Sequence, residues 1–143
     1  MVQLAKDRKV ELLAQVPLFS ACTDKDLKAI ASLMDRVEMK EGTVLATEGE
    51  PGREMFVIGD GKASVSIKGK EIATLGPGDF FGEMALLDQG PRSATVTVED
   101  DSVLYVVDPR GFSSLIEQNP TVTRKILRVL AQRLRTAEKG ASY

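Results

Sequence analysis

Residues 81–95, FGEMALLDQGPRSAT, set one acid and one arginine nine positions apart among apolar residues and small-residue turns. Glu83 follows Phe80, Phe81 and Gly82 and opens a short apolar run, Met84 to Leu87, while Arg92 follows the turn pair Gly90 and Pro91. Ser93 to Val98 reads as a strand. Ala94, Val96 and Val98 share one face and Ser93, Thr95 and Thr97 the other, because strand side chains alternate with period two. By that parity Arg92 belongs to the apolar face. A guanidinium keeps its charge in a protein, so an inward arginine needs either a bound anion or a carboxylate partner.

Gly82 ahead of a one-turn helix lets the backbone approach a ligand closely, and the free N–H groups of such a turn favour an anion. Arg92 can close on the same anion through a two-pronged, charge-assisted contact. Glu83 should not face a phosphate; in this place a carboxylate serves as an acceptor, for instance from a sugar hydroxyl. Anion plus hydroxyl beside apolar walls describes a sugar phosphate. The competing reading is a ligand-free Glu83–Arg92 ion pair that fastens the turn. Thr95 and Thr97 read as exposed strand threonines.

Outward from this stretch, residues 36–108 form short alternating runs separated by turns, the pattern of a small antiparallel barrel or sandwich. Gly42, Gly59, Gly61 and Gly78 read as turn glycines, and Val103 to Val107, continuously apolar, as a strand buried on both faces. Helical patterns flank this region. A first helix is predicted over 4–16, ended by Pro17, and a second opens at Thr23 with Asp26 three residues on, a capping-box spacing. Asp108-Pro109 and Asn119-Pro120 each pair an N-cap residue with proline at the first helical position, giving a short helix to about Gln118 and a longer one over 121–139. The expected organisation is a single domain, 1–143: N-terminal helices in 1–35, the β region in 36–108 and C-terminal helices in 109–143.

Composition narrows the chemistry. The chain has 143 residues, a net charge of −2 and no histidine, and its pI is about 5.3. The acidic balance disfavours nucleic acid as the main partner. Without imidazole, metal-dependent jelly-roll enzymes and Ser-His or Cys-His nucleophile systems lose a ligand or base, so the expectation is no catalysis and no metal or cofactor. A single cysteine, Cys22, excludes an internal disulfide and suits a reduced compartment. No membrane segment and no signal peptide is read, so the expected location is cytoplasmic.

The run FGE, a small and apolar stretch, a short loop and then PRSA resembles the phosphate-binding cassette of cyclic-nucleotide-binding domains, and the helix–strand–helix order resembles that family along the whole chain. The resemblance implies an eight-stranded antiparallel jelly-roll barrel, mainly β, with N-terminal helices and two C-terminal helices, similar to bacterial cyclic-nucleotide-gated channel and regulatory-subunit-type domains. It implies that Glu83 binds the ribose 2′-hydroxyl, that Arg92 holds the cyclic phosphate, and that backbone N–H groups at Ala85 and Ser93 complete the cradle, with Gly82 as the close-approach glycine. Met84 and Ala94 complete the expected set. Ser93, where the family's cyclic GMP binders tend to carry threonine, points to cyclic AMP, with cyclic GMP as the alternative.

The last helix carries Val122, Ile126, Val129, Leu130, Leu134 and Ala137 as an apolar stripe. In the family the corresponding helix often covers the base. Here it has no aromatic residue, which leaves Leu127 or Arg128 as candidate lid residues. The reading is a sensor module signalling through that helix to an unidentified protein effector or a fused effector domain. No DNA-binding domain is expected within these residues. The alternative is a structural or interaction module of the same fold that binds no nucleotide.

Overall fold

The computed structural model describes the backbone of residues 2–140 and the side chains of residues 8–136. The chain forms two compact units: Leu33–Ser113, and the segments that flank it up to Ser32 and from Ser114 onward.

The first unit holds eight strands: β1 (Met34–Met39), β2 (Val44–Ala46), β3 (Met55–Asp60), β4 (Ala63–Ile67), β5 (Lys70–Leu75), β6 (Phe80–Phe81), β7 (Thr95–Val98) and β8 (Ser102–Val107). All pairings are antiparallel, and the strands make two four-stranded sheets of order β1-β8-β3-β6 and β2-β7-β4-β5. This is the jelly-roll arrangement, but not a closed barrel. The edge strands β2 and β6 are only three and two residues long, too short to carry a ladder from one sheet to the other.

The inner faces meet in one buried cluster, with Phe56, Ile58 and Leu104 from one sheet and Ala46, Ala63 and Val96 from the other. Fully burying a large apolar side chain of this kind contributes about 1.5–3 kcal/mol. The Phe56 and Phe81 rings stack with centroids 4.9 Å apart, which anchors the short β6 to β3 just before the cassette. No residue of β8 is exposed, in keeping with its apolar run and its place between β1 and β3. Lys68 and Gly69, both at positive φ, make the two-residue turn that joins β4 to β5.

Two local expectations are corrected. Gly59 is a strand residue of β3 rather than a turn residue: the register slips between Ile58 and Asp60, and a Cβ on Gly59 would stand 2.7 Å from the Tyr105 ring. The strand expected over 93–98 begins only at Thr95, because the backbone of Arg92 is engaged by the loop at residues 49–52 rather than by a ladder.

In the second unit lie α1 (Val2–Ala14), a 3-10 turn at Pro17–Phe19, α2 (Asp24–Ala31) and α5 (Pro120–Gly140), with the end of α4 (Pro109–Gln118). α1 stops two residues short of the expected end, and Pro17 begins the 3-10 turn. The capping box is formed: the Asp26 N–H donates to Thr23 Oγ1 at 3.2 Å and the Thr23 N–H to Asp26 Oδ2 at 2.9 Å. The same Oδ2 accepts from Lys125 Nζ at 2.6 Å and so ties α2 to α5. The Lys125 bond, then the Thr23 N–H, hold the Asp26 carboxyl below its usual range.

Asn119 Oδ1 accepts from the Val122 N–H at 3.2 Å, the expected N-cap, and Thr123 Oγ1 donates to the Ile116 carbonyl at 2.7 Å, bridging the break between α4 and α5. Of the apolar stripe, Val122, Ile126 and Val129 are buried, Leu130 is half-buried and Leu134 is exposed; the side chain of Ala137 lies outside the described residues. Cys22 is half-buried, and burial pushes its thiol up.

Candidate functional site

A cavity of about 540 Å³ opens in the strand unit. Its floor is the sheet of β2, β4, β5 and β7, which contributes Ala46, Val65, Ala73, Leu75 and Val96. Its rim is the cassette: Phe80 to Ala85 on one side and Gly90 to Ala94 on the other. Gly82, Glu83, Met84, Ala85, Arg92, Ser93 and Ala94, the expected set, all line this one cavity. Leu127 and Arg128 belong to the helical unit, on α5, and both are exposed.

β6 delivers the chain to Gly82, whose φ of +84° turns it into the short helix α3 (Ala85–Asp88). Gln89, left-handed at φ 53°, ends that helix, and the Asp88 carboxylate accepts from the Gly90 N–H at 2.9 Å to set the following turn. The chain then runs beside the β2–β3 loop. Arg92 N–H donates to the Glu50 carbonyl at 2.8 Å, Gly49 N–H to the Arg92 carbonyl at 2.9 Å and Gly52 N–H to the Gly90 carbonyl at 2.9 Å. These three bonds and the Pro51–Pro91 bridge hold Arg92 at the cavity wall.

Arg92 is half-buried, and its Nη2 donates to the Glu54 backbone carbonyl at 2.9 Å. Among the described residues neither Arg92 nor Glu83 forms an ion pair, so the reading in which the two neutralise each other is not the one the fold adopts. Burial pushes the Arg92 guanidinium down from its ordinary value, and the Glu54 carboxylate opposes this. It stays a cation at neutral pH. The arginine thus has a neutral partner on one side and the cavity on the other.

The cradle N–H groups differ from each other. Among the described residues the Ser93 N–H has no protein acceptor, whereas the Ala85 N–H donates to the Gly82 carbonyl at 3.0 Å, closing the turn into α3. Thr95 and Thr97 correct their expectation too: both are half-buried, and the Thr95 hydroxyl accepts from the Glu48 N–H at 3.0 Å. Sequence reasoning missed Gly49, Glu50, Gly52 and Glu54 as supports of the cassette. Nothing local to residues 48–54 signals that they pair with residues some 40 positions later. Among the described residues no group of three or more His, Cys, Asp or Glu could hold a metal ion, and no helix is long and apolar enough to cross a membrane.

In this two-sheet jelly roll a glycine-led turn and an arginine flank one cavity. Residues 36–119 match the cyclic nucleotide-binding domain, and the chain belongs to that family. It is 36% identical over 126 residues to a Rhodopseudomonas palustris protein named as a potassium channel, covering 85% of this chain and 30% of that one. It is 31% identical over 130 residues to a CRP-like cAMP-activated global transcriptional regulator of Mycobacterium tuberculosis, covering 87% of this chain and 58% of that one. The chain therefore spans less than two thirds of either relative. Among solved structures, the N-terminal domain of a transcriptional regulator from Streptomyces coelicolor superposes with a TM-score of 0.82 at 29% identity, over 91% of this chain and 94% of that one.

Proposed function

We propose that this chain is a regulatory module that binds a cyclic nucleotide, cyclic AMP in preference to cyclic GMP, and that carries no catalysis or cofactor of its own. The observation that supports this best is Arg92, a half-buried cation whose side chain bonds a carbonyl rather than a carboxylate while lining the cavity. A cation in that state attracts an anion of the size of a phosphodiester. In this reading Arg92 and the unpartnered Ser93 N–H take the cyclic phosphate, joined by the Ala85 N–H once it shares or leaves the Gly82 carbonyl. Glu83 accepts the ribose 2′-hydroxyl, Gly82 keeps the turn close to the ligand, and Met84 and Ala94 supply apolar wall. Leu127 and Arg128 are the proposed lid residues.

The preference for cyclic AMP rests on Ser93, an exposed residue on the rim, and on the Mycobacterium tuberculosis relative, named as a cAMP-activated regulator. Output is assigned to α5, acting on a protein effector or on a fused effector domain, in the cytoplasm. In this reading α5 moves together with α2 and the end of α4, to which Lys125 and Thr123 bond it.

Calorimetry with cyclic AMP, cyclic GMP and linear AMP tests the binding reading. Tight binding of cyclic AMP, weaker binding of cyclic GMP and none of linear AMP is the expected order. No heat with either cyclic ligand would leave the module of the same fold that binds no nucleotide, a reading favoured by the Ala85 N–H being satisfied within the turn. Amide exchange with and without cyclic AMP tests the output, with protection changing in both 84–93 and 121–139.

A further inference from the structure

Arg92 reaches the cavity through a slot with a glycine on each side. A Cβ added to Gly82 would fall against Nη1, and one added to Gly52 would fall against Nε, 2.6 Å from both Cδ and Cζ. The two glycines are there for different reasons. Gly82 sits at positive φ and faces the Glu54 carbonyl as well, so backbone conformation alone demands glycine. Gly52 does not have a positive φ; it is buried, and the three nearest atoms to its absent Cβ all belong to the Arg92 side chain. Its backbone would accept alanine. What would not accept alanine is the present position of the guanidinium.

We infer that Gly52, on the β2–β3 loop, is a positioning residue for Arg92: its missing side chain is the space through which the arginine is aimed at the ligand cavity. The guanidinium has somewhere to go if pushed out. A second cavity of about 280 Å³, lined among others by Glu50, Arg53 and Glu54, lies on the loop side, and Arg92 lines both cavities. A methyl group at position 52 pushes on the flexible end of a side chain, not on backbone, so the sheets keep their packing while the cation shifts away from its carbonyl partner. The two acidic residues of the second cavity, Glu50 and Glu54, would hold it there.

This inference rests on Arg92 being the phosphate ligand, and its test separates the two claims. Gly52→Ala is expected to weaken cyclic AMP binding by roughly 10- to 100-fold, the range of one charge-assisted hydrogen bond, with little change in melting temperature. In an Arg92→Ala background the same substitution should change affinity less than twofold, since no guanidinium remains to be displaced. A full loss in that background, or wild-type affinity in the single variant, would overturn the role of Gly52. The second readout needs no ligand: the Arg92 Nε–H resonance of the free protein should move in Gly52→Ala while strand amides stay in place. An unmoved Nε–H overturns the inference whatever the nucleotide result. A moved resonance in a protein that binds no cyclic nucleotide upholds the positioning and removes only the ligand assignment.

Discussion

The Arg92 guanidinium donates to the backbone carbonyl of Glu54, 38 residues away in sequence, at 2.9 Å. A carbonyl orients the cation without cancelling its charge, which a carboxylate in the same place would do. Arg92→Ala is accordingly expected to leave the fold in place, since the loop is held by main-chain bonds of residues 49–52 that do not involve this side chain. Losing a charge-assisted contact to a buried phosphate costs on the order of 2–5 kcal/mol, so cyclic AMP affinity should fall roughly 30-fold or more. Calorimetry on the folded variant checks this; unchanged affinity would remove the cavity from the assignment.

Glu83 lines the cavity and makes no hydrogen bond within the protein among the described residues, so truncating it leaves no buried partner stranded. Glu83→Ala should weaken binding of cyclic AMP by roughly tenfold, the value of a hydrogen bond to a charged acceptor. The 2′-deoxy ligand lacks the donor and should be bound about equally by variant and parent. Equal losses for both ligands would show that the carboxylate acts elsewhere.

Gly82→Ala should be more damaging than Gly52→Ala. An alanine at φ +84° is strained, and its Cβ would stand 2.5 Å from the Glu54 carbonyl, a backbone atom that cannot swing aside. A left-handed non-glycine residue alone costs on the order of 1–3 kcal/mol. Thermal unfolding should show a lowered melting temperature together with lost binding. A melting temperature equal to the parent's would mean that the turn has room this geometry denies it.

Ser93 is exposed on the rim, with its N–H free of protein acceptors among the described residues. Ser93→Thr should raise affinity for cyclic GMP relative to cyclic AMP by a few-fold to about tenfold, the worth of one neutral hydrogen bond. Competition between the two nucleotides measures the ratio. A ratio that does not move removes the hydroxyl from selectivity.

The Asp26–Lys125 pair is mostly covered, with side chains 12% and 22% exposed, and it joins α2 to α5. Lys125→Met should lower stability by ~1.5–3 kcal/mol, since it removes a hydrogen bond between charged groups. Because the Asp26 carboxyl is held below its usual value in the folded protein, its contribution is complete above the unfolded carboxylate range, near pH 4, and fades as pH falls through the lower folded value. Parent and variant should therefore differ in melting temperature at pH 7 and converge in acid. A gap that stays constant down to pH 2 would assign the stability to packing of the lysine stem.

Sequence alone determined whatever depends on neighbours along the chain. The capping box at Thr23 and Asp26, the N-caps at Asp108 and Asn119 and the apolar run of β8 were all legible, because each is set by residues within a turn or a strand of one another. The stretch from Gly82 to Ala94 lies together in the chain before its residues line one cavity. Tertiary structure alone decided what Arg92 bonds to, that Gly59 bulges in a strand beside Tyr105, and that Gly52 is empty space for a guanidinium. It also decided that two short edge strands leave the jelly roll as two sheets. These outcomes turn on distances between residues 38 or more positions apart, set by sheet pairing and close packing, and no local periodicity records them.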